Sequence, residues 1–132
     1  MYTFKNEERL CSKKLLDKLF HNGSSFLLYP FRITWLVTDR LPAEVPVQVV
    51  ISVSKRKFRR AVDRNLLKRR MREIYRQNKA EMVYSRLDKP LLLAISYIGN
   101  DISEYRFMEK KLKLGLDKLR QQFEEQYAGK VD

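Results

Sequence analysis

The stretch VQVVISVSK, residues 47 to 55, alternates strictly enough to define both an element and its two faces. At a period of two, Val47, Val49, Ile51 and Val53 share one side of a strand. Gln48, Val50, Ser52 and Ser54 share the other, markedly more polar side. A helical pattern opens at Ala61, and a second apolar strand, LLLAISYI, spans 91 to 98. Strand, helix and strand in succession imply a crossover unit, with two parallel strands in one sheet and the helix over a face. That unit commits the chain to α/β layering. For such a crossover, strand twist favours the right-handed connection.

The remaining segments fit around this unit. Residues 12 to 21, SKKLLDKLFH, set Leu15, Leu16, Leu19 and Phe20 at helical spacing, with Ser12 as N-cap and Asn22-Gly23 ending the segment. From 26 to 38, FLLYPFRITWLVT is rich in β-formers, and Pro30 divides it into two short strands. Here Arg32 and Thr34 oppose Phe31, Ile33 and Trp35. LPAEVP, 41 to 46, reads as a turn. A long amphipathic helix from about 103 to 126 carries Tyr105, Met108, Leu112, Leu116 and Leu119 along one stripe. The expected fold is an α/β (α+β) sandwich in the order α-β-β-β-α-β-α, with a mixed sheet of about four strands and three helices. Without repeats, linkers or low-complexity tracts, residues 1 to 132 read as one domain. The polar sheet face is either an ordinary solvent face or one open to a ligand.

Charge distinguishes partners. The net charge is +12 in 132 residues, which favours polyanions: nucleic acid first, an anionic membrane surface second. Residues 55 to 76 hold eleven cations and two acids, and so carry nine of those twelve charges. On a helix, Arg64, Asn65, Lys68, Arg69, Arg72 and Arg76 fall within an arc of roughly 140°, with Leu67, Met71, Ile74 and Tyr75 on the opposite side. Arg64, Lys68 and Arg72 form an i, i+4 ladder of like charge, which costs a few tenths of a kcal/mol per pair. No carboxylate inside the arc offsets it; a bound polyanion would. Arginine predominates, and its fork grips phosphate in bidentate fashion, while Asn65 suits a 2′-hydroxyl or a base edge. The plainer reading is a solvated charged face. Membrane-surface binding is disfavoured because the apolar stripe is needed for the core.

Catalytic chemistry does not emerge from the residues. His21 is the one histidine and Cys11 the one cysteine, so neither an internal disulfide nor a Cys/His zinc site can form. With no secretory signal read at the N-terminus, a reducing, cytoplasmic setting is expected. The longest apolar runs, such as PLLLAI at 90 to 95, are too short to span a bilayer. No paired carboxylates, glycine-rich phosphate loop or nucleophile–His–acid set appears. The residues describe a binding protein, with no catalytic or metal-ligating group of its own.

The stretch SVSKRKFRRAVDRNLLKRRMRE, 52 to 73, resembles the protein component of bacterial ribonuclease P. That family's hallmark is a strand ending Ser-Val-Ser-Lys, a loop, and Ala-Val-x-Arg-Asn-Arg-x-x-Lys-Arg opening a basic helix. Here SVSK is Ser52 to Lys55, and AVDRNLLKR runs from Ala61 to Arg69. Arg9-Leu10, the Leu19-Phe20 pair and Gly23 extend the similarity towards the N-terminus. Leu66 stands in place of the third hallmark arginine, and KRKFRR replaces a Gly-Asn loop common in relatives. Leu16 stands where the family often has phenylalanine, which leaves base stacking to Phe20.

The resemblance implies a compact α/β fold with an unusual left-handed crossover around the basic helix. It implies a partnership with a large catalytic RNA that removes the 5′ leader from precursor tRNA by Mg2+-dependent hydrolysis, the protein alone being inactive and binding no cofactor. The RNA surface expected is Lys55, Arg56, Lys57, Arg59, Arg60, Arg64, Asn65, Lys68, Arg69, Arg72 and Arg76. A cleft between the first helix and the polar sheet face would take the single-stranded leader, with Leu16, Phe20, Thr34, Ser52 and Ser54 as candidates. Core packing is the alternative for Phe20. A general structured-RNA binder, ribosomal or in assembly, with no role in tRNA cleavage, is the competing reading.

Overall fold

The computed structural model describes residues 8–39, 41, 45–84 and 88–127. Helix α1, Lys13–Asn22, leads into strands β1, Ser24–Leu28, β2, Phe31–Val37, and β3, Val47–Val53. Helix α2, Ala61–Lys79, continues into a π-helical turn, Ala80–Tyr84, and is followed by strand β4, Leu91–Tyr97, and helix α3, Tyr105–Gln126. The expected order is therefore observed, with the basic helix three residues longer than the charge pattern suggested. The turn assigned to 41–46 lies partly outside the described residues.

The four strands form one mixed sheet in the order β1-β2-β4-β3. β1 and β2 form an antiparallel hairpin, β4 is antiparallel to β2, and β3 runs parallel to β4. This is the crossover unit that the alternation of residues 47–55 demanded: β3 and β4 lie side by side because α2 returns the chain across one face.

That face is the main core. Phe31, Ile33, Trp35, Val49, Leu93 and Ile95 project from the strands into Leu67, Met71 and Ile74 of α2 and Met108, Leu112, Leu116 and Leu119 of α3. All are at most 2% exposed, and each such side chain withdrawn from water contributes about 1.5–3 kcal/mol before entropy is charged. α3 comes close because Gly115 faces the sheet; a Cβ there would stand 2.4 Å from Ile33 Cδ1. The Trp35 indole N–H donates to Gln122 Oε1 at 2.9 Å, so the buried ring keeps its polar partner.

The opposite face is only partly roofed. α1, capped by Ser12 Oγ accepting from the Leu15 N–H at 3.3 Å, sets Leu15, Leu16 and Leu19 against Leu36, Leu92, Ala94 and Val50. The outer edge of β3 is covered by residues 9 and 10, where the Leu10 N–H donates to Val49 O at 2.9 Å. Beside it, Lys79 Nζ meets both oxygens of Glu8 at 2.7 and 2.8 Å in a buried ion pair. The N-terminal segment is thus tied to the end of α2 before it turns into α1.

Candidate RNA interface

The basic loop 54–60 is built around one inward residue. Phe58 is buried edge-on against Tyr97, with ring centroids 5.8 Å apart. Its N–H donates to Ser54 O at 3.0 Å, and Ser54 Oγ accepts from the Lys57 N–H at 3.3 Å. Anchoring Phe58 turns its neighbours outward, and Lys55, Arg56, Lys57, Arg59 and Arg60 are all exposed. Ser54, expected in the leader cleft, instead organises this loop. Lys57 Nζ also donates to Ile98 O at 2.6 Å, which ties the loop to the end of β4.

On α2, Asn65, Arg69 and Arg72 are exposed, and Arg64, Lys68 and Arg76 are half-buried. Leu67, Met71, Ile74 and Tyr75 are fully buried, as the periodicity required. Three details correct the simple picture of a free cationic face. Arg64 Nη1 donates to Phe58 O and Arg59 O at 2.8 and 2.9 Å, clamping the loop to the helix's first turn. Arg76 does find a carboxylate: its Nε lies 3.1 Å from Glu73 Oε2, just beyond the arc. The hydrogen bond from Arg76 holds the Glu73 carboxyl below its ordinary range. The arc is also not opposite the core stripe. Arg72 leans over the outer edge of β3, where it lines a recess with Arg9, Leu10, Cys11 and residues 49–51. The cations therefore curl around the sheet edge, because the helix rests on the sheet by its flank.

Strand register defines the floor of the cleft. Leu27, Arg32, Ser96 and Ser52 form one row across β1, β2, β4 and β3. The next row is Ser25, Thr34, Ala94 and Val50. α1 covers Thr34, Ala94 and Val50 of the second row; Ser25 at its end and Leu27, Arg32 and Ser52 of the first row stay exposed, with Ser96 half-buried between them. Thr34 is consequently 6% exposed and donates its hydroxyl to Ser25 Oγ at 3.2 Å, so it is not a surface group. Ser52 is open, with its hydroxyl donating to Ser96 Oγ at 3.0 Å. Leu16, on the sheet-facing side of α1, is half-buried, whereas Phe20, four residues on, is 58% exposed. Core packing is excluded for Phe20; its ring stands free.

Arg32 is the residue that sequence reasoning passed over. The alternation put Arg32 and Thr34 on one face, and only the crossing point of α1 shows that Arg32 is the exposed member. Arg70 was likewise left out; its Nη1 donates to Ser103 O at 2.7 Å and fastens the β4–α3 connection to α2. Among the described residues, no group of three or more His, Cys, Asp or Glu could hold a metal ion. Among the same residues, no helix is long and apolar enough to cross a membrane.

A family profile described as Ribonuclease P matches residues 4–114. The chain belongs to this family. The ribonuclease P protein component of Porphyromonas gingivalis strain W83 is 31% identical over 114 residues, spanning 83% of this chain and 80% of its own. That of Petrotoga mobilis is 38% identical over 77 residues, spanning 58% and 61%. Among solved structures, the RNase P protein of Thermotoga maritima in complex with 1-(4-fluorophenyl)-2-thiourea superposes with a TM-score of 0.66 at 21% identity, over 83% of this chain and 98% of that one. The Staphylococcus aureus RNase P protein gives 0.64 at 20% identity, over 88% and 97%. These likenesses establish a shared fold.

Proposed function

We propose that this chain, a protein subunit of ribonuclease P, seats a catalytic RNA on α2 and its basic loop while holding the single-stranded 5′ leader of precursor tRNA in the cleft beside α1. The observation that carries this reading is the sheet face itself. One row of polar groups, Arg32, Ser96 and Ser52, is left uncovered on the sheet face that α1 roofs only in part, and α1 itself carries an exposed aromatic ring, Phe20. Aromatic rings stack on unpaired bases, and short hydroxyls and a guanidinium reach sugars and phosphates.

The work assigned to the protein is electrostatic and positional. Lys55, Arg56, Lys57, Arg59 and Arg60 extend a positive track from Asn65, Lys68, Arg69 and Arg72. Arg64 and Arg76 contribute charge while holding the loop and the helix surface in shape. In this reading the RNA performs the hydrolysis with Mg2+, in the cytoplasm, and the protein lowers the demand for divalent cation by offsetting phosphate repulsion. If about six phosphates are engaged, log affinity falls with log salt at a slope of roughly −5.

The test is single-turnover cleavage of a precursor tRNA by bacterial ribonuclease P RNA at low magnesium. Wild-type protein should stimulate cleavage, Lys68→Ala/Arg69→Ala/Arg72→Ala should stimulate far less, and protein without RNA should be silent. Tight RNA binding without stimulation would leave only a general structured-RNA binder.

A further inference from the structure

α3 carries a second cationic surface, and it differs in kind from that of α2. At about 100° per residue, Phe107, Lys110, Lys111, Leu114 and Lys118 fall within roughly 100° of arc on the flank that overhangs β1. Glu125, at the far end of the helix, is the one acid on that arc. Two acids of the other flank are engaged by a cation of their own: Arg120 bonds Asp117 at 2.8 Å and Glu124 at 3.1 Å. On the β1 flank, among the described residues, no ion pair involves Lys110, Lys111 or Lys118.

Apolar groups are interleaved with these lysines in the open. Phe107 is 40% exposed and Leu114 47%. Lys111 Nζ sits 5.6 Å from the Phe107 ring centroid, and Lys118 Nζ 4.9 Å from that of Phe26 on β1. Phe26 is buried and serves only to hold Lys118 in place, so the exposed Phe107 ring among three ammonium groups supplies the stacking-and-phosphate chemistry that takes unpaired nucleic acid without sequence preference. The same charges repel a second copy of this flank, so self-association does not account for it.

Position identifies which RNA. The open row of the cleft runs from Ser52 on β3 through Ser96 and Arg32 to Leu27 on β1, where the sheet ends and Leu27 is 57% exposed. α2 and its cations stand at the β3 end. A strand crossing the floor away from α2 leaves the sheet over β1, and Lys118 waits against that strand from the other face. We infer that the Phe107–Lys118 flank of α3 binds the distal part of a long leader, the nucleotides that continue past the cleft. This rests on the leader-cleft reading above, and it adds a property which that reading lacks: affinity that grows with leader length.

The experiment uses holoenzyme reconstituted with ribonuclease P RNA and two precursor tRNAs, with leaders of about four and about sixteen nucleotides. The variant is Lys110→Gln/Lys111→Gln/Lys118→Gln, checked for an unchanged melting midpoint; Phe107→Ala is measured alongside. With the long leader, the variant should bind roughly five- to tenfold more weakly, with a salt slope shallower by about 2 for three lost phosphate contacts. With the short leader it should match wild type, and the triple Lys→Arg variant should restore the long-leader affinity. Equal losses at both lengths would overturn the assignment and place the contact on the catalytic RNA. No loss at either length would overturn the site altogether. Failure of wild-type protein to improve even short-leader binding would instead strike the cleft reading, so the two failures are separable.

Discussion

The two faces of the sheet are made from alternate residues of the same strands, yet they obey different rules. On the α2/α3 face, Ile33, Leu93 and Ile95 are sealed from water within one large hydrophobic cluster. On the α1 face, a ten-residue helix covers one end and leaves the row of Leu27, Arg32, Ser96 and Ser52 to solvent. Two long helices can seal four strands; one short helix cannot. The uncovered remainder is where a ligand can meet the sheet, so the shortness of α1 is a functional feature in the reading proposed here.

The largest effect is expected where the two faces are tied together. Lys79 belongs to the α2 side and Glu8 to the segment that feeds α1, and their ion pair is buried on both sides. Removing one partner strands the other charge out of water, which costs about 3–5 kcal/mol. Lys79→Ala should therefore lower stability by that order in denaturant unfolding. Glu8→Leu/Lys79→Met should recover most of it, since a well-packed apolar pair replaces such bridges with little loss. A single mutant as stable as wild type would show that the N-terminal segment is not held by this bridge.

Neighbouring residues on β4 sharpen the contrast. Ile95 points into the main core and Ser96 into the open row. Ile95→Ala should cost about 2–5 kcal/mol of stability, and Ser96→Ala less than about 0.5 kcal/mol. Equal losses would mean that the open row is not open in solution.

Much of this division was legible beforehand. The period of two in residues 47–55 named the buried and polar sides of β3, and the period of 3.6 in α2 and α3 named their core stripes. Those signals survive because burial acts on every residue of an element at once. What remained hidden depends on relations between distant elements. Thr34 and Arg32 are equivalent by alternation; only where α1 crosses makes one buried and the other free. Ser54 looked like a continuation of the polar strand face, but the turn that buries Phe58 recruits its hydroxyl. Glu8 and Lys79 are 71 residues apart and carry no local mark of their pairing. The cations of α2 were found by count, but their lean over the β3 edge follows from how the helix sits on the sheet.

Adjacent residues of α1 give a third comparison, smaller in energy and clearer in meaning. Leu19 is fully buried and Phe20 is 58% exposed. Leu19→Ala should destabilise the fold by about 2–5 kcal/mol. Phe20→Ala should leave the unfolding midpoint unchanged and weaken leader binding by about 1–3 kcal/mol, the usual worth of one base–aromatic stack. Leader affinity is read as the difference between precursor and mature tRNA binding to the holoenzyme, which removes the contribution of the tRNA body. If Phe20→Ala leaves that difference intact, the exposed ring is not the stacking platform.

The smallest effect is expected at Arg32, and it separates charge from shape. Arg32 is exposed in the open row beside its register partners Ser96 and Leu27 and does not support the core, so in the proposed reading its guanidinium would meet a phosphate of the leader. Arg32→Gln keeps the length of the stem and a hydrogen-bond donor but removes the charge. One neutralised phosphate on a single strand corresponds to a change of about 0.7 in the slope of log affinity against log salt. The variant should therefore weaken leader binding at low salt and converge on wild type as salt rises, with Arg32→Lys close to wild type throughout. A loss that persists unchanged at high salt would mean that Arg32 acts by hydrogen bonding to a base or sugar, and the open row would then read identity as well as charge. No loss at any salt concentration would show that the strand runs nearer to α1, over Phe20, and bypasses the row that the register exposes.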